Sequence, residues 1–294
     1  MFPEKARQVE VRLRVQQAHG AYDGMRSARQ LSEALTGELQ ATTGDRHLRV
    51  NYRPDPIPSG KPKAGPSRQQ AAARLAMLRS NNFGVKKIEH LPFNIGYLAL
   101  DGFAPSQAAA GTLAAAMTVL AHTDALIIDL RNNDGGDATG VALLAGYLFD
   151  RRTRLNDFYY REGNRIEQRW SADPVAGLRY GQHKDVYLLT SRDTFSAGED
   201  FSYALKNLKR ATLVGETTGG GANPGKDIRL SPHFGAFMPL GRALSPVTRT
   251  NREGTGVAPD LAVCAGGHLR GRIEDRIAQL GTGDADDCPE RVSP

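Results

Sequence analysis

The sequence predicts an α/β domain with helices packed on its sheet, preceded by a helical N-terminal portion. Three observations carry this. Short apolar runs rich in β-branched and aromatic residues, IGYLALDGF (95–103), ALIIDLR (125–131), DVYLLTS (185–191) and ATLVGE (211–216), read as buried strands. Between them, apolar positions recur at helical spacing: Leu113, Ala116, Met117 and Leu120; Val141, Leu144, Ala145 and Leu148; Phe201, Ala204, Leu205 and Leu208. Strand and helix alternating at such short intervals is the pattern of helices packed on a sheet.

The elements follow in order. From Val9 to Gln40, Val11, Leu13, Val15, Leu31, Ala34, Leu35 and Leu39 recur among charged residues and predict helices, which Gly44 and Asp45 stop. HLRVNY alternates apolar and polar residues. Pro54, Pro56, Pro58, Pro62 and Pro66, with Gly60 and Gly65, then impose an extended connection. Ser67 caps a helix to about Ser80, with Ala72, Leu75, Ala76 and Leu78 as its apolar surface. The boundaries are residues 1–85 for the N-terminal portion, 86–282 for the α/β core and 283–294 for a polar tail. Within the core, 153–183 reads as a strand pair or surface excursion, and the stretch after Pro224 as turn-rich until a helix from Leu269 to Leu280.

Composition excludes several classes. The 294 residues are 40% hydrophobic with a net charge of +6, an ordinary globular balance. No run approaches the roughly 18 apolar residues of a membrane-spanning helix. The positive charge sits at one end: residues 1–90 hold 16 Lys and Arg against 8 Asp and Glu. Those cations are dispersed, and no nucleic-acid-binding signature accompanies them, so no nucleic-acid partner is expected. Cys264 and Cys288 are too few and too late for a disulfide framework and read as free thiols or one late bridge. The histidines show no metal-ligand spacing, so neither metal nor other cofactor is expected.

Three segments stand where strands end, the place where α/β folds form clefts. In LIIDLRNNDGGD (126–137), Gly135 and Gly136 let the backbone approach a bound group and aim N–H donors at it; the bland reading is a plain Asn-Asp-Gly turn. In VYLLTSRDTFSAGEDFSYAL (186–205), Ser196 heads a helix, where the dipole and free N–H groups suit a nucleophile whose attack creates an oxyanion. The spacing of Ser196 and Glu199 equally fits a capping box. In GETTGGGANPG (215–225), Gly219, Gly220 and Gly221 follow a strand, but without Gly-Lys-Ser/Thr they form no phosphate loop and read as a substrate-groove wall.

Taken in order, LRNNDGGD, SRDTFSAGEDF and GETTGGGANPG, then PLGRALSPVTRTNREGTGVAPD (239–260), resemble the tail-specific, C-terminal-processing serine peptidases of family S41. The likeness is to the branch containing tricorn protease and the modules of interphotoreceptor retinoid-binding protein; TGDRHLRVNYRP (43–54) matches that branch as well. The resemblance implies a crotonase- or ClpP-like spiral of ββα units and makes Ser196 the nucleophile, with Gly135 and Ala197 as oxyanion donors. The lysine of processing enzymes falls where this chain has Gly219-Gly220-Gly221, and Lys226 is off register. The tricorn-like alternative makes His47 the general base and Glu253 its carboxylate partner, although Arg46 stands where that branch has a hydroxyl residue. Read without the resemblance, His47 is equally a buried histidine at a domain junction, and Glu253 an exposed carboxylate in a turn.

The expected function is serine-type hydrolysis of peptide or unfolded-protein substrates through a Ser196 acyl-enzyme. The alternative is a non-catalytic groove for a retinoid or fatty acid. A third reading, a pure interaction scaffold, uses Tyr159, Tyr160 and Trp170 as anchors. The interval from Tyr52 to Ile95 is too short for the PDZ module common in processing enzymes. Relatives of this kind are periplasmic or secreted, whereas the first residues lack a secretory apolar run and leave a cytoplasmic location open. Oligomeric state is not legible.

Overall fold

The computed structural model describes residues 3–59 and 67–263. Two N-terminal helices, α1 (Pro3–Ala18) and α2 (Ala28–Thr43), pack against each other. Ser27 caps α2 by accepting the Gln30 N–H at 3.1 Å. The helix ends at Gly44, whose φ of 71° and N–H bond to Gln40 form the left-handed closure that glycine adopts without steric cost. Strand β1 (Arg49–Tyr52) follows, and then α3 (Arg68–Ser80), where Ser67 and Gln70 exchange both bonds of a capping box. The expected apolar surface of α3 is barely used: no residue of the helix is buried, and Leu78 alone packs against the main core.

Strands β2 (Val85–Leu91), β3 (Ile95–Leu100), β4 (Ala125–Asp129) and helices α4 (Ser106–Leu120) and α5 (Ala138–Leu148) come next. A hairpin, β5 (Arg154–Tyr160) and β6 (Arg165–Trp170), separates them from β7 (Asp185–Thr190), α6 (Ala197–Asn207) and β8 (Thr212–Gly215). The chain continues through β9 (Gly225–Arg229), β10 (Phe234–Pro239), β11 (Gly241–Leu244) and β12 (Leu261–Ala262).

The central sheet has six strands in the order β12-β8-β7-β4-β3-β2. Only the β2–β3 pair is antiparallel. Successive residues of β4 alternate between faces, as the pleat requires. Leu126 and Ile128 join Leu113, Met117, Leu144 and Phe201 beneath the helices. Ile127, paired with Tyr97 and Tyr187, sits on the opposite face with Leu189 and Val214. Burying Phe201 completely contributes roughly 2–3 kcal/mol, so this helix-covered face anchors α6 firmly. Because β4, β7 and β8 run parallel, their carboxyl ends, and the three loops that leave them, share one edge of the sheet.

The N-terminal portion is stitched to the end of the chain. β1 pairs with β10, and β10 with β9, with Val50 opposite Ala236. Val9, Leu39, Leu48, Val50 and Ala236 form the core under α1 and α2. A third small sheet has the order β11-β5-β6, which resolves 153–183 as a strand pair.

Two readings of the sequence are corrected. Among the described residues the stretch after Pro224 holds four strands rather than turns, and β2 went unread. For β9 and β2 the cause is the same: GKDIR has no buried residue, and the middle of VKKIEHL is exposed, so neither shows the apolar run or clean alternation of a covered strand. The helix expected at Leu269–Leu280, both cysteines and the polar tail lie outside the described residues.

Candidate active site

Beyond Thr190 the chain is sewn to the neighbouring loop. Thr194 Oγ1 donates to the Leu130 carbonyl at 2.7 Å, Ser191 Oγ to that of Arg131 at 2.5 Å, and the Phe195 N–H to that of Asn133 at 2.9 Å. These bonds deliver Ser196 to the head of α6 with φ 52° and ψ −110°, a conformation costly for a residue with a Cβ. The observed outlier marks a serine held by its surroundings.

Glu199 supplies much of that hold. Completely buried, it accepts from the Ser196 N–H (3.0 Å), Thr218 Oγ1 (2.5 Å), the Gly220 N–H (2.7 Å) and the Gly221 N–H (2.7 Å). The capping-box spacing therefore has a second meaning, since one carboxylate binds the serine turn to the glycine-rich loop. This corrects the expected groove wall. Gly220, at φ 82°, faces Glu199 and the backbone of 254–256, and the Gly219 carbonyl accepts from Arg46 at 2.6 Å. Of the three glycines, only Gly221 lines the cleft.

The expected oxyanion donors divide. The Gly135 N–H is taken by Asn133 Oδ1 at 3.0 Å, so this donor is occupied. The N–H groups of Gly136 and Ala197, both on the cleft, have no acceptor among the described residues. Gly135 remains essential for space: a Cβ there would stand 2.7 Å from Ser196 Cβ.

His47 lines the same cleft, of about 350 Å³, as Ser196. Its backbone N–H donates to Asp45 Oδ1 at 3.0 Å, and its ring lies against Phe195 (4.6 Å) and Phe237 (5.6 Å). Nδ1 is buried without a partner, and no hydrogen bond joins the ring to Ser196 in this conformation. Burial pushes the imidazole down to about 4, with Arg252 and Arg49 acting in the same direction and Asp45 opposing them. Arg46, the irregular residue before it, spans to the Gly219 carbonyl and stacks 5.8 Å over Phe195, so it ties the histidine's segment to the glycine loop.

Glu253 meets this histidine from the far end of the chain. Its Oε2 accepts the N–H groups of Ala222 (2.7 Å) and Asn223 (3.0 Å), while Oε1 is buried and unpartnered. Burial raises its carboxyl to about 7, with the charge of Asp45 adding to the shift. Asp45, His47 and Glu253 bring one ligand-type atom each within 4.8 Å of one another, a cluster that no spacing in the sequence foretells. Lys226 is exposed on β9 and does not line the cleft.

Four further residues were not singled out from sequence. Arg252, 2% exposed, reaches Asp200 Oδ1 at 3.4 Å and the Ser196 carbonyl at 3.2 Å. Asp200 is itself buried, which raises its carboxyl despite Arg252. Asn133 fixes the Gly135 turn, and Asn223 donates to Asp45 Oδ2 at 2.7 Å. Their one signal in the sequence was position within the motifs.

Against known proteins, residues 94–263 match the model of peptidase family S41. The chain belongs to peptidase family S41. In this S41 chain, residues 1–84 match the N-terminal domain of peptidase S41 in eukaryotic IRBP. A chloroplastic C-terminal processing peptidase of Tetradesmus obliquus is 29% identical over 175 residues, 57% of this chain and 34% of the relative. A second chloroplastic carboxyl-terminal-processing peptidase, from Arabidopsis thaliana, is 27% identical over 56% of this chain and 31% of its own length. The S41 chain thus spans about a third of the length of these curated relatives. A solved structure from Parabacteroides merdae is 20% identical and covers 87% of this chain and 84% of that one, with a TM-score of 0.60. A lipoprotein from Streptococcus agalactiae, 14% identical, covers 95% and 98% with a TM-score of 0.57. These likenesses are of fold, and the architecture is the α/β one of S41 peptidases, the crotonase- or ClpP-like fold.

Proposed function

We propose that this chain is a serine peptidase in which Ser196 is the nucleophile and His47 the general base. The observation that carries the reading is one cleft holding Ser196 in a strained turn beside a buried, neutral His47, which is flanked in turn by Glu253. The Ser196 hydroxyl attacks the carbonyl carbon of the scissile bond as its proton passes to the imidazole. Glu253 then stabilises the imidazolium, and its unpartnered Oε1 is the acceptor that the unpartnered His47 Nδ1–H needs. The N–H groups of Gly136 and Ala197 receive the oxyanion. The imidazolium returns its proton to the leaving amine, and water, deprotonated by the same base, hydrolyses the acyl-enzyme. The open cleft lacks the Ser196–His47 bond; substrate binding closes such contacts in many free enzymes.

A fluorophosphonate probe tests this reading. The intact chain is expected to be labelled and to cleave members of a peptide library, whereas Ser196→Ala and His47→Ala are expected to do neither. An unlabelled, inactive wild type overturns it. Phe158, Phe195 and Phe237 on the cleft wall support the apolar-ligand reading, which a co-purifying fatty acid together with probe inertness would favour.

A further inference from the structure

His47 is 7% exposed, its Nδ1 is buried with no partner, and Nε2 is the ring nitrogen left open to the cleft. Asp45 and Glu253 each bring a carboxylate oxygen to this ring, and the three ligand-type atoms lie within 4.8 Å of one another. Among the described residues neither carboxylate forms an ion pair, since Arg252 is committed to Asp200. Carboxylates buried side by side repel each other, and Glu253 Oε1, like His47 Nδ1, has no partner. The proposed reaction pairs these two atoms and leaves Asp45 beside them; a single cation answers all three groups.

The surroundings orient this set. Asn223 donates Nδ2 to Asp45 Oδ2 at 2.7 Å and its backbone N–H to Glu253 Oε2 at 3.0 Å, so one residue fixes both carboxylates. Ligands held by such outer partners are the usual build of a metal site. Asn223 Oδ1, buried without a donor, suits a metal-bound water. One imidazole with two carboxylates suits Zn²⁺ and its neighbours among the transition ions. Asp45, Asn223 and Glu253 also line a second cavity beside the cleft, of about 270 Å³, which gives an ion its path. Lys5, Arg161 and Arg242 line that cavity too and oppose an ion held by charge alone, which favours one that bonds imidazole over Mg²⁺ or Ca²⁺. Binding has to draw the three atoms from 4.8 Å to about 3.3 Å, the edge of a tetrahedral zinc site, and neither Nδ1 nor Oε1 has a hydrogen bond to break.

We propose that Asp45, His47 and Glu253 bind a divalent transition ion of the zinc class, and that the bound ion switches the peptidase off. The ion takes the lone pair of His47 Nδ1, so the proton of the neutral ring moves to Nε2. Nε2 then donates and has no lone pair for the Ser196 proton, and Glu253 is spent on the metal. The site stands on its own geometry; its effect on the reaction rests on the peptidase reading.

The test uses the full chain with Cys264 and Cys288 alkylated, so that no thiolate competes for metal. Zn²⁺ binding is measured by equilibrium dialysis on Ser196→Ala, alone and combined with Asp45→Asn, His47→Gln or Glu253→Gln. One ion per chain is expected, and each added substitution should weaken it at least about tenfold, no less than the loss of an outer partner costs; Asn223→Ala should weaken it by about that much. Mg²⁺ and Ca²⁺ should not displace it. Co²⁺ in the Ser196→Ala chain should show the visible absorption of an ion bonded to imidazole, a readout that needs no substitution in the cluster. In the second arm, Zn²⁺ should slow fluorophosphonate labelling of the Ser196-containing chain at the concentration that fills the site, and a chelator should restore it.

Absence of binding, a Co²⁺ spectrum equal to that of the free ion, or Zn²⁺ binding kept by all three cluster variants overturns the site, the last because surface histidines then hold the metal. A filled cluster with labelling unslowed overturns the switch. Labelling without Zn²⁺ binding sinks the site and keeps the peptidase reading, whereas Zn²⁺ held by the cluster of a chain that is never labelled, chelator included, sinks the peptidase reading and keeps the site.

Discussion

His47 Nδ1 and Glu253 Oε1 are both buried and both without a hydrogen-bond partner, on side chains that approach within 4.8 Å. One is a ring nitrogen able to carry a proton and the other a carboxylate oxygen able to accept it.

This relationship sets a pH dependence. The imidazole, near 4, is neutral across the physiological range, whereas the Glu253 carboxyl, near 7, ionises within it. Activity is expected to rise as pH passes upward through about 7, following the carboxylate that stabilises the imidazolium. Glu253→Gln should lower kcat/KM by at least about tenfold and abolish that limb. A wild-type limb near 4 instead, in a pH–rate profile on a fluorogenic peptide, would exclude Glu253 as the titrating group.

The Glu253 contribution to stability should move in the opposite sense. Its folded value lies above its ordinary value of 4.5, so the contribution is complete below that pH and is lost as pH rises through about 7. His47, lowered from 6.5 to about 4, contributes above 6.5 and loses that contribution as pH falls through about 4. Thermal unfolding of Ser196→Ala, with and without Glu253→Gln, checks both windows: the two slopes oppose each other between about 4.5 and 6.5, so the second substitution should leave stability rising with pH there.

Glu199→Ala strands the four donors that converge on this carboxylate. With about 1–3 kcal/mol for each buried group left unpaired and partial relaxation, the expected loss is about 3 kcal/mol or more. A denaturant midpoint unchanged from wild type would show that these bonds add nothing.

Gly135→Ala forces a Cβ to within 2.7 Å of Ser196 Cβ at a φ of 113°. Fluorophosphonate labelling is expected to fall at least about tenfold, equivalent to about 1.4 kcal/mol of displaced geometry. Circular dichroism should show the helices and sheet retained.

Arg252→Met removes the cation facing buried Asp200 and releases the Ser196 carbonyl. The expected destabilisation is about 3–5 kcal/mol, because a charge is left uncompensated. Combining Arg252→Met with Asp200→Asn should recover part of it in urea unfolding, and equal losses in the single and double variants would contradict the pairing.

Some of this was legible. β4 could be read because Leu126, Ile127, Ile128 and Asp129 are all buried, so both faces of the strand are covered and the run is continuous. Gly44 and Ser67 mark helix ends through bonds that span only a few residues. β9 was hidden because none of its residues is buried, and β2 because charged and exposed residues fill its centre. Within the site, Ser196 was legible as a serine where a strand gives way to a helix. The occupied Gly135 N–H was not, because its partner's side chain could have pointed anywhere.

The sequence by itself determined that three loops stand where strands end and that a serine heads the helix after one of them. Burial leaves a periodic trace along each element, and that trace needs no knowledge of the rest of the chain. Only the tertiary structure decided that Asp45 and His47 meet Glu253, that Glu199 gathers Ser196 with Gly220 and Gly221, and that Asn223 holds Asp45. Those contacts depend on the direction of single side chains across gaps closed by β1 pairing with β10, and hydrogen bonds over such gaps leave no periodic trace.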